Sequence, residues 1–123
     1  MKKTSTDKAP GAIGPYSQAV VTDKLVFTSG QIPINPATGN VEAETIEEQT
    51  KQVCENLKAV LEASGSSLEK AVKTTCFLAD INDFAAFNGV YGEYFTEKPA
   101  RSCVAVKDLP KGVKCEVEVI AEI

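Results

Sequence analysis

Histidine is absent from this chain of 123 residues, and several kinds of active site are excluded with it. Hydrolases that pair serine or cysteine with histidine are excluded, because their nucleophile needs the imidazole as a base. The commonest general base and the usual nitrogen ligand of zinc and copper are missing for the same reason. Any catalytic chemistry must therefore rest on other groups.

Long apolar runs and closely spaced cysteine pairs are missing as well. No segment approaches the roughly 20 apolar residues that a membrane-spanning helix needs, and the charged start, Met1-Lys2-Lys3-Thr4, has no apolar region behind it. We therefore expect no secretory signal and a cytoplasmic protein. The four cysteines lie far apart on helical or strand patterns, which favours free, buried thiols over disulfides. They are Cys54, Cys76, Cys103 and Cys115.

The charge balance is acidic. Thirteen lysines and arginines against 17 aspartates and glutamates give a net charge of −4, which argues against nucleic acid as the main partner. The hydrophobic share of 43% is ordinary for a soluble globular protein. The length fits a single domain over residues 1–123, small enough for oligomerisation to help its stability.

Hydrophobic periodicity predicts an α+β domain with the element order β-β-α-β-α-β-β. The first helix, about residues 46–64, is the clearest, because Thr45 and Glu48 have capping-box spacing and Gly65 stands where a C-terminal cap belongs. A second helix is predicted where aromatic residues recur at helical spacing: Phe84, Phe87, Val90, Tyr91, Tyr94 and Phe95. Strands are predicted at residues 16–21, 25–32 and 71–78, with two more in the last quarter. We expect a single sheet with both helices on one face.

The two strands of the last quarter carry an arginine and a carboxylate that could reach the same small space. On the first strand, Arg101 and Cys103 share a face. On the second, Glu116 points away from the apolar face that begins at Cys115. A short turn at residues 108–111 predicts a hairpin that pairs Cys103 with Glu116, and this register would bring Glu116 to the side of Arg101.

Two helices on one face leave the other face of the predicted sheet uncovered. We expect that face to be half apolar, with Cys103, Ala105 and Ile120 beside Arg101 and Glu116. A half-apolar, uncovered face is typical of a protein–protein interface, and closed rings of identical subunits bury such faces. The pattern therefore predicts a homo-oligomer.

Five segments occur in an order and at a spacing that match a known family. They are GPYSQA at 14–19, FTSGQ at 27–31, VKTT at 72–75, FAAFN at 84–88 and PARSCV at 99–104. Together they resemble the RidA (YjgF) family of enamine and imine deaminases, from about residue 9 to the end. The resemblance implies a homotrimer with a chorismate-mutase-like fold and clefts between subunits. It also implies hydrolysis of 2-imino acids or their enamine tautomers to 2-keto acids and ammonia, without a metal or other cofactor.

The resemblance also implies roles for individual residues. Arg101 would hold the substrate carboxylate, since a planar guanidinium offers two parallel hydrogen bonds. The backbone of Cys103 would contact the imine nitrogen, and Glu116 would help to place the attacking water. Tyr16 would supply a hydroxyl near the cleft, and Asn88 would add a polar contact from the second helix. Ser29 and Gly30 would line the cleft.

Other interpretations remain open at this point. Without the family, Arg101 is most simply a surface residue in a salt bridge, and Glu116 one of several glutamates on a solvated face. The main alternative function is a non-catalytic trimer that binds 2-keto acids or similar small carboxylates in the same cleft. Only an enzyme needs a group that handles water, so Glu116 discriminates between the two. Ribonuclease, translation-inhibitor and chaperone activities are weaker alternatives.

Overall fold

One six-stranded sheet carries both helices on the same face in the computed structural model, which describes residues 1–123. The strands are β1 (Lys2–Thr4), β2 (Ala19–Val21), β3 (Leu25–Thr28), β4 (Ala71–Leu78), β5 (Ala100–Ala105) and β6 (Cys115–Glu122). The helices are α1 (Ile46–Ala63) and α2 (Phe84–Tyr94). The predicted α+β class, the two helices and the single sheet are confirmed. The structure adds β1, which pairs with β2, and it shortens both strands of the first predicted hairpin.

Helix α1 begins and ends where its sequence predicts. The Thr45 hydroxyl accepts a hydrogen bond from the Glu48 backbone N–H at 3.1 Å, and the Glu48 carboxylate accepts one from the Thr45 N–H at 3.2 Å. These two bonds form the capping box that satisfies free donors at the helix start. Just past the last turn, Gly65 adopts a φ of +86°, a left-handed conformation that favours glycine.

Helix α2 lies against the same face of the sheet as α1. Of the six residues predicted for its buried stripe, three are buried: Phe87, Tyr91 and Phe95. Phe84 is instead exposed at the helix start, where it lies near the edge of the sheet. Neither helix combines the length and the apolar character that crossing a membrane requires.

The order of the strands differs from the predicted one in the last quarter of the chain. The sheet runs β1-β2-β3-β6-β4-β5, so β4 lies between β5 and β6. Cys76 of β4 pairs with Cys103 in a parallel ladder on one side and with Val117 in an antiparallel ladder on the other. The predicted hairpin between β5 and β6 is therefore wrong. Residues 106–114 connect two strands that do not touch, because the β-branched strand β4 takes the central position between them.

This order decides which side chains share a face. Paired residues on neighbouring strands point to the same side of a sheet. Arg101 pairs with Thr74, which is buried under the helices, whereas Glu116 pairs with Phe77 on the open face. The prediction that Glu116 lies on the side of Arg101 and Cys103 is wrong, because it depended on a direct pairing of β5 with β6.

The sheet face opposite the helices is uncovered, as predicted, but its membership differs. Glu116 and Ile120 lie on it, whereas Arg101, Cys103 and Ala105 point to the helix side. Phe27 and Val104 are apolar side chains on this face that are exposed over 41% and 47% of their surface. A face with such side chains at its centre and edge is suited to cover by another protein surface.

Candidate active site

Arg101 is held at the edge of the sheet by three side chains of α2. Its Nη1 donates a hydrogen bond to Oδ1 of Asn88 at 2.7 Å. The guanidinium carbon lies 4.8 Å from the centre of the Tyr91 ring and 5.5 Å from that of Phe84. Both rings attract the cation through their π faces. The side chain is half-buried, so its charge is fixed in position yet reachable from solvent.

The bond to Arg101 also fixes the orientation of the Asn88 amide. A guanidinium has only donors, so the carbonyl oxygen of Asn88 must face it. The amide nitrogen of Asn88 is then left as a donor for a second group. Two kinds of N–H donor therefore stand side by side at this point of the fold, and both suit an anionic oxygen.

Cys103 presents its backbone to the free edge of the sheet. Strand β5 pairs only with β4, so one side of β5 has no strand partner. The N–H of Val106 donates to the carbonyl of Leu78 on β4, and the backbone groups of successive strand residues point to opposite edges. The N–H and C=O of Cys103 therefore point outward, two residues from Arg101.

The thiol of Cys103 is not activated. It lies next to that of Cys76, its register partner on β4. Burial raises the pKa of the Cys103 thiol, and it raises that of Cys76 to about 12. Both thiols stay protonated near neutral pH, and a thiolate is the form that attacks carbon. The useful groups of Cys103 are therefore those of its backbone.

A second group of predicted site residues surrounds Glu116. The backbone of Gln31 exchanges two hydrogen bonds with Val117, at 2.8 and 3.1 Å, which sets Gly30 beside the neighbouring Glu116. A Cβ atom at position 30 would overlap the Glu116 carboxylate, so glycine is required for this close approach. Burial raises the pKa of the Glu116 carboxyl, and the nearby Glu118 raises it further.

Ser29 and Tyr16 lie on the chain that leads into this second group. The Ser29 hydroxyl donates to the carbonyl of Ser17 at 2.6 Å and its N–H to that of Gln18 at 2.9 Å. These bonds tie the end of β3 to the segment that carries Tyr16. The Tyr16 ring is 52% exposed, which leaves it free to contact a further surface.

The predicted site residues thus fall into two groups on opposite faces of the sheet. The arginine group, on the helix side at the edge, contains Arg101, Asn88 and the Cys103 backbone. The carboxylate group contains Glu116 and Gly30 on the open side, with Ser29 and Tyr16 on the adjoining chain. A groove of about 700 Å³ between α1 and the N-terminal segment is lined by neither group.

Two aromatic side chains that contact Arg101 were not predicted as part of the site. Tyr91 and Phe84 were expected in the buried stripe of α2, where aromatic residues at helical spacing normally belong. The available signal was the spacing in and after the FAAFN motif. Phe84 lies one turn before Asn88, and Tyr91 lies one turn after it.

Known proteins match this chain over nearly its whole length. Residues 6–123 match the family described as endoribonuclease L-PSP. A RutC family protein of Pyrococcus abyssi is 56% identical, and the alignment covers 94% of this chain and 92% of that protein. A 2-iminobutanoate/2-iminopropanoate deaminase of Salmonella typhimurium is 52% identical over 98% of both chains.

Solved structures share the fold as well. The YjgF gene product of Escherichia coli has a TM-score of 0.94 and 48% identity, with 99% of this chain and 98% of that one covered. The structure of E. coli TdcF with bound serine has a TM-score of 0.95 and 47% identity, covering 100% and 99%.

Proposed function

Since this chain belongs to the endoribonuclease L-PSP family, the family of YjgF and RidA, we propose that it hydrolyses 2-imino acids, or their enamine tautomers, to 2-keto acids and ammonia. The Salmonella relative is named for this activity on 2-iminobutanoate and 2-iminopropanoate. The observation that carries the proposal is the fixed guanidinium of Arg101 beside outward-facing backbone groups of Cys103. A 2-imino acid carries its carboxylate on the carbon of its C=N group, so one small molecule offers both an anion and an imine nitrogen to these neighbouring groups.

Arg101 is the binding group for the substrate carboxylate in this proposal. Asn88 occupies Nη1 in the free chain, and the remaining N–H groups of the guanidinium are available to an anion. Hydrogen bonds between a guanidinium and a carboxylate are charge-assisted and therefore among the stronger ones. The amide nitrogen of Asn88 can donate to the same carboxylate, which would increase the preference for an acid over a neutral imine.

The Cys103 backbone and Glu116 act on the reacting carbon and nitrogen. The free edge of β5 offers an N–H and a C=O to the imine or iminium nitrogen. Glu116 accepts a proton from the attacking water, and its raised pKa makes the carboxylate a better base than an exposed glutamate. An iminium carbon is already electrophilic, so a positioned water suffices and no covalent intermediate is required.

Arg101 and Glu116 can serve one substrate only if two chains contribute to the site. Within a single chain they lie on opposite faces of the sheet. A second copy that covers the open face could bring its own edge strand β5 next to Glu116 and Gly30. We therefore propose a homo-oligomer, a trimer by family resemblance, in which each site combines the arginine group of one subunit with the carboxylate group of its neighbour.

The proposal is tested by the hydrolysis of 2-iminobutyrate generated in situ. We expect the purified protein to accelerate formation of 2-oxobutyrate and ammonia well above the rate in buffer, in a reaction that saturates with the imine. Semicarbazide, which traps free imine, should compete with the enzyme. No acceleration with several imino acids would contradict the proposal.

A second candidate is binding without catalysis. TdcF was solved with bound serine, a small amino acid. In this chain, the arginine group could hold a keto acid. Calorimetry with 2-oxobutyrate separates the two functions, because a binder shows saturable binding and no hydrolysis. The family description also names RNA cleavage. The net charge of −4 and the absence of histidine favour a small acid over RNA.

Gly30→Ala provides a test of the carboxylate group. The new methyl would overlap the Glu116 carboxylate, and the flexible glutamate can yield by turning away. We expect kcat to fall by about tenfold or more, because the proton acceptor leaves its place, with little change in the unfolding midpoint. Gly92→Ala is the matched control, because a Cβ there meets no atom within 4 Å. An unchanged kcat in Gly30→Ala would show that Glu116 takes no part in the reaction.

A further inference from the structure

Thr74 and Tyr91 form a buried hydroxyl pair directly beneath Arg101. Their oxygen atoms lie 2.7 Å apart, in hydrogen-bond contact. Thr74 is fully buried and Tyr91 is 7% exposed, so water does not compete for either hydroxyl. The proposed chemistry uses neither residue.

The pair connects the helix and the sheet at the level of the arginine. Thr74 is the residue of β4 that pairs with Arg101 on β5. Tyr91 belongs to α2, and its ring lies 4.8 Å below the guanidinium carbon. The hydrogen bond therefore fixes the ring relative to the strand position that carries Arg101, rather than at some unrelated point of the core.

A purely packing role would not call for these two residue types. Valine and phenylalanine would fill nearly the same volumes without two hydroxyls that must find each other inside the protein. A tyrosine hydroxyl anchored on one side holds its ring at a set depth and tilt. A cation on the ring face then has a set position too, since its attraction depends on distance from the ring centre.

We propose that Thr74 and Tyr91 are positioning residues, which hold the guanidinium of Arg101 at the depth and orientation that a substrate carboxylate requires. This inference rests on the proposed function of Arg101. Asn88 fixes Nη1 from the side, and Tyr91 supports the plane from below. The substrate then meets an arginine that needs little further ordering, which lowers the entropic cost of binding.

Three single variants and one double variant test the inference by their effect on KM and on the affinity for 2-oxobutyrate. Tyr91→Leu removes the ring face and should raise both KM and Kd by about tenfold. Tyr91→Phe keeps the ring, and Thr74→Val keeps the volume, so each should raise them by only about three- to fivefold. The double variant Tyr91→Phe/Thr74→Val should raise KM and Kd no more than either of these single variants, because both substitutions remove the same hydrogen bond.

Tyr94→Phe is the matched control. Its hydroxyl also donates a hydrogen bond from α2, to Glu55 at 2.8 Å, but it does not contact Arg101. It should leave KM and Kd unchanged. If Tyr91→Phe and Thr74→Val bind 2-oxobutyrate as tightly as the unaltered protein does, the inference is wrong and the pair is structural. If the unaltered protein neither hydrolyses the imine nor binds the keto acid, the proposed function and this inference both fail.

Discussion

Arg101→Ala is expected to lower kcat/KM for 2-iminobutyrate by at least about a hundredfold, because it removes charge-assisted hydrogen bonds to the substrate carboxylate. The fold should survive the change. Arg101 is half-exposed on the edge strand β5, and it closes no ion pair inside the protein. An unfolding midpoint close to that of the unaltered protein would show that the loss is one of function.

Arg101→Lys separates charge from shape at the same position. Lysine keeps the positive charge, but it lacks the planar fork that can bond to a carboxylate and to Asn88 at the same time. We expect kcat/KM to stay at least about tenfold below that of the unaltered protein. If Arg101→Ala keeps kcat/KM within about threefold of the original value, the arginine does not bind the substrate and the proposed site is wrong.

The elements that were predicted correctly are those whose signals lie in residues close together in the sequence. The capping box at Thr45 and Glu48 fixes the start of α1 through bonds between residues three apart. Strand β4 follows the β-branched alternation of residues 71–78.

The arrangement of the last quarter could not be obtained in this way. A hairpin between consecutive strands is the simplest connection, and the short turn favoured it. The observed sheet instead inserts β4 between β5 and β6, a choice made by long-range packing that no local pattern records. That one error moved Glu116 to the face of Arg101. Strand β1 was missed because Lys2–Thr4 is short and polar.

The sequence therefore suggested candidate residues for the site but not their arrangement. The family resemblance named the residue types, and Arg101, Asn88 and the Cys103 backbone do lie together. In the proposed oligomer, the relation between Arg101 and Glu116 depends on contacts between subunits, which one chain does not contain. The contact of Tyr91 with Arg101 could not be predicted, because an aromatic residue on the inner side of a helix gives the same sequence pattern whether it packs in a core or against a guanidinium.

If the site is shared between subunits, two inactive variants should regain activity when they are combined in one oligomer. A site within one chain cannot produce this effect. Arg101→Ala and Glu116→Ala should each be nearly inactive alone, since every site in either oligomer lacks one group. In a mixed trimer, one interface joins an intact Arg101 to an intact Glu116, whichever variant is in excess. Such a trimer should therefore show roughly one third of the normal activity, and a mixed dimer roughly one half.

The most direct test of this account is the activity of such mixed oligomers. The two variants are co-expressed with different affinity tags, and oligomers that contain both are purified over both tags and assayed with 2-iminobutyrate. The same variants, purified separately and combined just before the assay, serve as the control and should stay inactive. We predict recovery of roughly one third of the activity in the mixed oligomers. Mixed oligomers as inactive as their parents would contradict a site shared between subunits.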